Sequence, residues 1–469
     1  MILFPHQREG IRFLQRRKGR ALIAHDMGLG KTATALGWLK HHPELRPVVV
    51  ICPLSVRQTW KNEITTWLGE TAFLPVGSLA DGASYDNQPF IVIHYNILAG
   101  DSEVDKSTHR IVIGEASWLT WLMTLHPKCI IIDEAHLTRN TSAMMTKATK
   151  AICRGVKHVI ALTGTPVVNR PIEAYNVLKL LDPKGIPDWP AYTRRYCMGK
   201  SNGFAPNYDG ANNLDELNAI LTGPDGVMLR RRKEDVLKDL PAKIRQFVPL
   251  ELDNRTEYLS AERDFVAYLK REGQAEAAVR AKRALAITRI NGLRQLAAKG
   301  KLKQALDWIE DVVEDNKLVV FAVHHAVLDA VMDKFEKIAI RFDGSTPPED
   351  RGGIIERFQT DPNCRLFAAQ IKSGGVGITL TAASHLAVLE FPWDPGSLVQ
   401  AEDRCHRIGQ TQTVNIYYLV AANTLDEHLA RLLAQKQSVL DAMIDGIPDT
   451  SPSILSELIA TYLKGDRGK

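Results

Sequence analysis

Cysteine is scarce and unpatterned in this chain. The six thiols, Cys52, Cys129, Cys153, Cys197, Cys364 and Cys405, form no Cys-x-x-Cys pair. Zinc ribbons and disulfide frameworks are therefore disfavoured, and free thiols in a reducing compartment are expected. No apolar run reaches the roughly 20 residues that span a bilayer. The N-terminus, Met1-Ile-Leu-Phe-Pro-His-Gln-Arg8, enters an amphipathic pattern directly and does not resemble a signal peptide. Repeats and low-complexity tracts are missing too. A strong charge of either sign is also absent. The net value of +5 is compatible with a polyanionic partner, yet many ordinary enzymes are as basic. What is plentiful is apolar sequence, 45% over 469 residues, enough for large cores in two or three domains.

Three separated clusters carry chemistry. Ala21-Leu-Ile-Ala24 reads as a buried strand, leads into His25-Asp-Met-Gly-Leu-Gly-Lys-Thr32, and is followed by a helical pattern from Ala33. Strand, glycine loop and helix are the setting of a phosphate loop. Gly28 and Gly30 let backbone N–H groups close on phosphate oxygens, Lys31 reaches the β/γ-phosphates, and the Thr32 hydroxyl binds Mg²⁺. The full pattern asks for glycine at position 25, where this chain has His25. Cys129-Ile-Ile-Ile-Asp133 is a second apolar strand that ends in two carboxylates. Asp133 suits Mg²⁺ held through water, and Glu134 suits the attacking water. Taken alone, either cluster also arises as an ordinary turn. Ala135-His136 completes a DEAH box and argues against chance.

The third cluster is Gln400-Ala-Glu-Asp-Arg404-Cys-His-Arg407-Ile-Gly-Gln-Thr411. Arginine's permanent planar charge suits a γ-phosphate whose charge is shifting. Such fingers contribute about 10³–10⁵ in rate in related motors. A surface ion-pair network with Glu402 and Asp403 is the competing reading. Further apolar runs begin at Val48, Phe90 and His158, and a second set begins at Lys317, Ile338, Cys364, His385 and Val414. Helical stretches intervene, so two parallel sheets are expected, one in each of two lobes. The nucleotide belongs to the first lobe, and the arginines come from the second. Ligands of open α/β sheets bind at the carboxyl ends of the strands. This makes Ser55, His94, Thr163 and Gly164 candidates for nucleic acid. In the second sheet the candidates are Ser345 and the loop Lys372-Ser-Gly-Gly-Val-Gly377, including Ser373 and Gly374.

With these residues assembled, the chain resembles a superfamily-two DNA translocase of the Swi/Snf-related type, over nearly its whole length and in motif order. Pro5-His-Gln7 with Glu9-Gly10 is similar to the glutamine motif. Met27-Gly-Leu-Gly-Lys-Thr32, Asp133-Glu-Ala-His136, Leu162-Thr-Gly-Thr-Pro166, Ser373-Gly-Gly-Val-Gly377 and Gln400 to Gln410 are similar to motifs I, II, III, V and VI. Tyr196-Cys197, Val227 to Leu237 and Leu240-Pro-Ala-Lys243 look like the HARP-related annealing-helicase branch. The resemblance implies two RecA-like α/β lobes with helical insertions between them. It implies ATP bound by Gln7, Met27, Gly28, Leu29, Gly30, Lys31, Thr32, Asp133 and Gly375, and Mg²⁺ held by Thr32 and Asp133. Glu134, Gln400, Arg404 and Arg407 would be catalytic. The implied partner is duplex or forked DNA, with no membrane. The compact length suggests a minimal monomeric motor without N-terminal accessory modules, cytoplasmic, and bacterial or viral in source. A strand-separating helicase and a DNA-binding scaffold with a relic motor are the alternatives.

The expected division is a first lobe over 1–170, helical protrusions over 171–304, a second lobe over 305–424, and a brace helix with tail over 425–469. Between Val279 and Lys303 stand eight Lys/Arg and no acid. Val279, Ala286, Ile290, Leu293 and Ala297 form an apolar stripe there. The basic positions are expected mostly off the stripe, either following a phosphate backbone or forming a solvated face. Thr424 to Met443 reads as an amphipathic helix bracing the lobes. Ser201 to Asn213 reads as a mobile loop, and Gly465 to Lys469 as a frayed tail.

Overall fold

In the computed structural model the chain is described over residues 3–79, 88–100, 103–104, 111–112, 117–164, 171–197, 208, 212–272, 279–347, 349–374, 378–444 and 458. Thr165, Pro166, most of 201–213, Gly375 to Gly377 and the 465–469 tail lie outside these residues.

Fifteen strands are present among the described residues: β1 (Arg20–Ile23), β2 (Val48–Cys52), β3 (Ala72–Phe73), β4 (Phe90–His94), β5 (Glu103–Val104), β6 (Ile111–Val112), β7 (Cys129–Asp133), β8 (His158–Leu162), β9 (Met228–Leu229), β10 (Lys243–Leu250), β11 (Leu318–Ala322), β12 (Ala339–Phe342), β13 (Leu366–Gln370), β14 (His385–Val388) and β15 (Val414–Ala421). They form a seven-stranded sheet in the order β3-β4-β2-β7-β8-β1-β9 and a six-stranded sheet in the order β10-β15-β14-β11-β13-β12. Pairing is parallel throughout both. β5 and β6 form a separate antiparallel pair. Parallel strands covered on both faces need apolar side chains on each, so they read as continuous runs rather than alternation. The runs Val48–Cys52 and Leu318–Ala322 are buried at every position.

The chain divides into two units, one of residues 1–239 with 440–450, the other of residues 240–439 with 451–469. This differs from the expected division. Residues 171–239 go with the first sheet, where helix Pro171–Leu181 supplies Tyr175 and Leu178 to the core and β9 forms an edge strand. In the second unit β10 adds to the edge of the sheet, and the helix Val279–Asp315 runs through the expected boundary at 304. β10 escapes a pattern search because Ile244, Arg245, Gln246 and Phe247 are all exposed.

Helices Arg255–Glu272 and Val279–Asp315 pack through Tyr258, Phe265, Ile290, Leu293 and Ala297. The expected apolar stripe is thus real at the three of its positions whose side chains are described. Of the basic positions, Arg289, Lys299 and Lys303 are exposed as expected, and two others need correction. Arg294 and Lys301 are buried, at 7% and 1% exposure. Positions 290, 293, 294, 297 and 301 share one face at a period of 3.6 residues, so both cations lie on the packed side.

Candidate functional site

β7, β8 and β1 are neighbours in the first sheet, with Asp133 beside Leu162 and Leu162 beside Ile23. Their carboxyl ends therefore bring together the carboxylate pair, the Thr163-Gly164 turn and the glycine loop. On the other side of β7, β2 and β4 end at Cys52 and His94, paired in register. The edge therefore runs from His94, past the Ser55 turn and Asp133, to Thr163 and the loop. One row carries the nucleotide candidates and the nucleic-acid candidates of the first unit.

The loop is shaped by its glycines. Gly28 and Gly30 have φ of 82° and 73°, in the left-handed region that penalises a side chain. A Cβ on Gly30 would lie 2.2 Å from Gln7 Nε2. Gln7 donates that amide to Leu29 O at 3.2 Å and accepts the Phe4 N–H at 3.0 Å on Oε1, while His6 Nε2 donates to Leu29 O at 2.9 Å. Helix Lys31–Lys40 starts at the loop's end. Lys31 Nζ donates to the carbonyls of His25 at 2.9 Å and Asp26 at 3.3 Å, which holds the ammonium over the loop. Thr32 is half-buried in the helix's first turn, and Met27 and Leu29 are buried beneath. His25, in place of the expected glycine, is fully buried with its ring edge-on to His6 at 6.1 Å. Burial, reinforced by Lys31, brings its pKa down to about 3, so the ring is neutral at pH 7.

Asp133 receives an indole hydrogen bond from Trp60 Nε1 at 2.8 Å and the Glu134 N–H at 3.0 Å. Its carbonyl accepts from Tyr95 OH at 2.7 Å. Burial, and then the neighbouring Glu134 charge, push its pKa up. A buried carboxylate so disfavoured is suited to a cation, which would stabilise its charged form. Glu134 has a left-handed backbone, φ 49° and ψ 50°. A non-glycine residue held there costs about 1–3 kcal/mol, a strain that clusters at functional sites. His136 Nδ1 lies 2.9 Å from Thr163 Oγ1 and 3.3 Å from Glu134 Oε2. Thr163 is buried with its hydroxyl on this histidine, and so joins the carboxylates to its own turn. A Cβ on Gly164 would lie 2.7 Å from Met27 Cε and 3.5 Å from Lys31 Nζ.

Ser55 is half-buried in the turn Leu54–Val56. His94 has its pKa lowered to about 4 by burial and then by the Arg57 cation. It is neutral at pH 7.

In the second unit, β12 and β13 are neighbours, and their ends present Ser345 and the turn Ile371–Gly374. Ser345 donates from N–H and Oγ to Asp343 Oδ1 at 2.8 and 2.6 Å. Burial raises the Asp343 pKa, but these bonds and Arg341 outweigh it and bring it to about 2. Gly374 closes the turn, the Ser373 side chain lies outside the description, and Gly375 lies outside it altogether. Helix Pro395–Glu402 is capped by Asp394, which accepts the Ser397 N–H at 2.7 Å, and it carries buried Gln400. Arg404 Nε donates to Gln400 O at 2.9 Å, and Arg404 and Arg407 each donate to Ile378 O, at 3.2 and 2.8 Å. Both arginines are thus anchored on the Ile378 carbonyl. Glu402 is held by Lys243, Arg245 and Tyr418, so it does not form the competing network with them. Gln410 donates to the carbonyls of Thr381, Ala383 and Cys405, which fixes the turn behind the arginines.

Sequence reasoning missed Trp60 and Tyr95, which hold Asp133. It singled out the segment after β9 but not its contacts, where Asp26 accepts the Lys233 N–H at 3.0 Å and Arg231 pairs with Glu9 through Nε and NH2. These partners lie 38 to 222 residues apart, and no local pattern marks them. Among the described residues, no helix is long and apolar enough to cross a membrane.

The family described as SNF2-related domain matches residues 6–298, and the helicase conserved C-terminal domain matches residues 300–409. The DNA annealing helicase and endonuclease ZRANB3 of Bos taurus is 33% identical over 461 residues, covering 95% of this chain and 41% of its own length. The SWI/SNF-related matrix-associated actin-dependent regulator of chromatin subfamily A-like protein 1 of Xenopus tropicalis is 32% identical, covering 93% of this chain and 44% of its own. The chain thus spans less than half the length of these relatives. The solved Sulfolobus solfataricus SWI2/SNF2 ATPase core in complex with dsDNA is 24% identical, with a TM-score of 0.43, covering 95% of this chain and 94% of its own.

Proposed function

The chain belongs to the SNF2-related family of nucleic-acid-dependent ATP hydrolases, and from that premise we propose that it translocates on double-stranded or branched DNA, remodelling or annealing it. The observation that carries this reading is the edge shared by β7, β8 and β1. On it Lys31 Nζ, Gly164 and the Asp133–Glu134 pair belong to adjacent loops. The names of the animal relatives, which include an annealing helicase, support rewinding over strand separation.

The proposed roles extend the motif resemblance to single residues. Backbone N–H groups of Gly28, Leu29 and Gly30 cradle the phosphates of ATP, with the loop kept open by Gln7 and His6. Lys31 exchanges its carbonyl partners for phosphate oxygens. Thr32 and Asp133 would hold Mg²⁺, which when bound supplies positive charge that lowers the repulsion between phosphate and nucleophile. Glu134 accepts the proton of the attacking water. Gln400 places that water, and Arg404 and Arg407 offset the charge that builds on the transferring phosphoryl group. Ser55, His94, Gly164, Ser345, Ser373 and Gly374 are assigned to the DNA strands. Thr163, through His136, reports the state of the carboxylates to that contact. The motor acts as a single chain.

The test is Glu134→Gln. It retains ATP binding and loses about 10²–10⁴ in turnover, the usual contribution of a positioned base. Turnover at the wild-type rate in that variant removes Glu134 from the role.

A further inference from the structure

We propose that Arg294 is a positioning residue that ties the basic helix Val279–Asp315 to the segment carrying Gln400, Arg404 and Arg407. The proposal rests on the motor reading above and extends it to how occupancy of that helix reaches the arginines.

Arg294 is buried on the packed face of the helix. Its NH2 donates to the carbonyl of Phe391, and its guanidinium lies over the Trp393 ring, 4.6 Å from the centroid. About two turns on, Lys301 Nζ donates to Leu419 O at 2.6 Å and to Asp426 Oδ2 at 2.5 Å. The helix is therefore fixed to the body of its unit at two points, by directed bonds rather than by apolar contact alone. One of those points, Phe391-Pro392-Trp393, runs straight into Asp394. That residue caps helix Pro395–Glu402 through the Ser397 N–H and hydroxyl, at 2.7 and 2.9 Å. The far end of the same short helix offers Gln400 O to Arg404. A shift of Phe391 along its bond to Arg294 is thus carried through one capped helix to the first arginine.

The chemistry at position 294 is costly if packing is all it achieves. Taking a guanidinium out of water is expensive, and an apolar residue of similar volume would fill such a site as well or better. The cation confers direction. It fixes one carbonyl and one ring plane relative to the helix axis. Outward from this point the helix is basic in sequence, with Arg280, Lys282, Arg283 and Arg289, the last of them exposed. A polyanion gripping those turns would load a rod whose other attachment is the arginine segment.

The experiment uses the full chain, a blunt DNA duplex as probe, and the variants Arg294→Met and Arg294→Lys. Arg294→Met is expected to lower duplex-stimulated kcat about tenfold, with basal turnover and duplex Kd within about twofold, in the range of measured coupling losses. Arg294→Lys recovers part of the loss, because an ammonium can reach Phe391 O but presents no plane to Trp393. Unchanged stimulated kcat overturns the proposal. So does a parallel fall of basal and stimulated rates in proportion to the folded fraction seen by thermal melting. If the wild-type chain responds to no nucleic acid, the motor reading fails by itself. Hydrogen exchange then tests the tie: amides of 391–407 exchange faster in Arg294→Met while those of β7 and β8 stay protected, and equal exchange overturns it.

Discussion

Replacing Trp60 by phenylalanine tests how Asp133, the carboxylate proposed to hold Mg²⁺, is supported. The indole N–H lies 2.8 Å from Asp133 Oδ2, and Trp60 is 2% exposed. Phenylalanine retains most of the packing and removes the donor. A hydrogen bond to a charged group contributes about 1.5–3 kcal/mol. At 1.36 kcal/mol per pKa unit, its loss raises the Asp133 pKa by about one to two units beyond a value that burial and Glu134 already push up. The cation needs the carboxylate, so activity falls as pH drops through the folded-state pKa, and the acid limb moves to higher pH in the variant. Losing such an outer partner typically costs about 10–100-fold in metal affinity. The assay is ATPase rate against Mg²⁺ concentration from pH 5.5 to 8.5. The expected result is a Mg²⁺ requirement raised about tenfold or more at pH 7, partly restored at higher pH. An unchanged Mg²⁺ requirement and acid limb, or a loss uniform across pH and Mg²⁺, would refute the reasoning. In the metal-free chain the sign for stability is opposite to that of a paired carboxylate. The raised folded-state pKa makes the Asp133 contribution full below the unfolded value, and it is lost as pH rises through the folded one.

Three further outcomes follow from distances. Thr163→Val removes the hydroxyl that meets His136 at 2.9 Å. DNA stimulation should fall about two- to tenfold with basal turnover retained, the scale of one hydrogen bond, and equal stimulation in variant and wild type contradicts the coupling role. Gly164→Ala puts a Cβ 2.7 Å from Met27 Cε. Overpacking of about 1–3 kcal/mol should weaken ATP binding roughly tenfold in a nucleotide titration, and unaltered affinity would place the turn away from the nucleotide. Glu402→Ala removes the buried partner of Arg245 and Tyr418 and leaves Lys243 with Asp403. Loss of these charge-assisted bonds should cost about 1–3 kcal/mol in urea unfolding, and no measurable change would show the network to be dispensable.

Much of the fold is legible in the sequence because both sheets are parallel and covered. Their strands are unbroken apolar runs, and the loops after them carry the polar residues, so Lys31, Asp133, Glu134 and Arg404 can be placed on strand ends or turns before any coordinates. β9 and β10 are not legible. The first is two residues long and the second is an exposed edge strand, so neither needs an apolar run. Arg294 and Lys301 are misjudged for another reason: charge argues for a solvated face, while helical phase puts them with Ile290 and Leu293. Trp60, Tyr95 and Glu9 hold the site through contacts between distant segments, which pattern reading cannot see.

If the Lys31 and Asp133–Glu134 site drives motion on DNA, ATP turnover must depend on the nucleic acid present. The most direct measurement is the steady-state ATPase rate without nucleic acid and with single-stranded DNA, blunt duplex, forked DNA and RNA, for the wild-type chain and Lys31→Ala. Stimulation by duplex or forked DNA that disappears in Lys31→Ala is the expected result. Equal wild-type rates in every condition would contradict it, leaving an ATP site without the coupling to DNA.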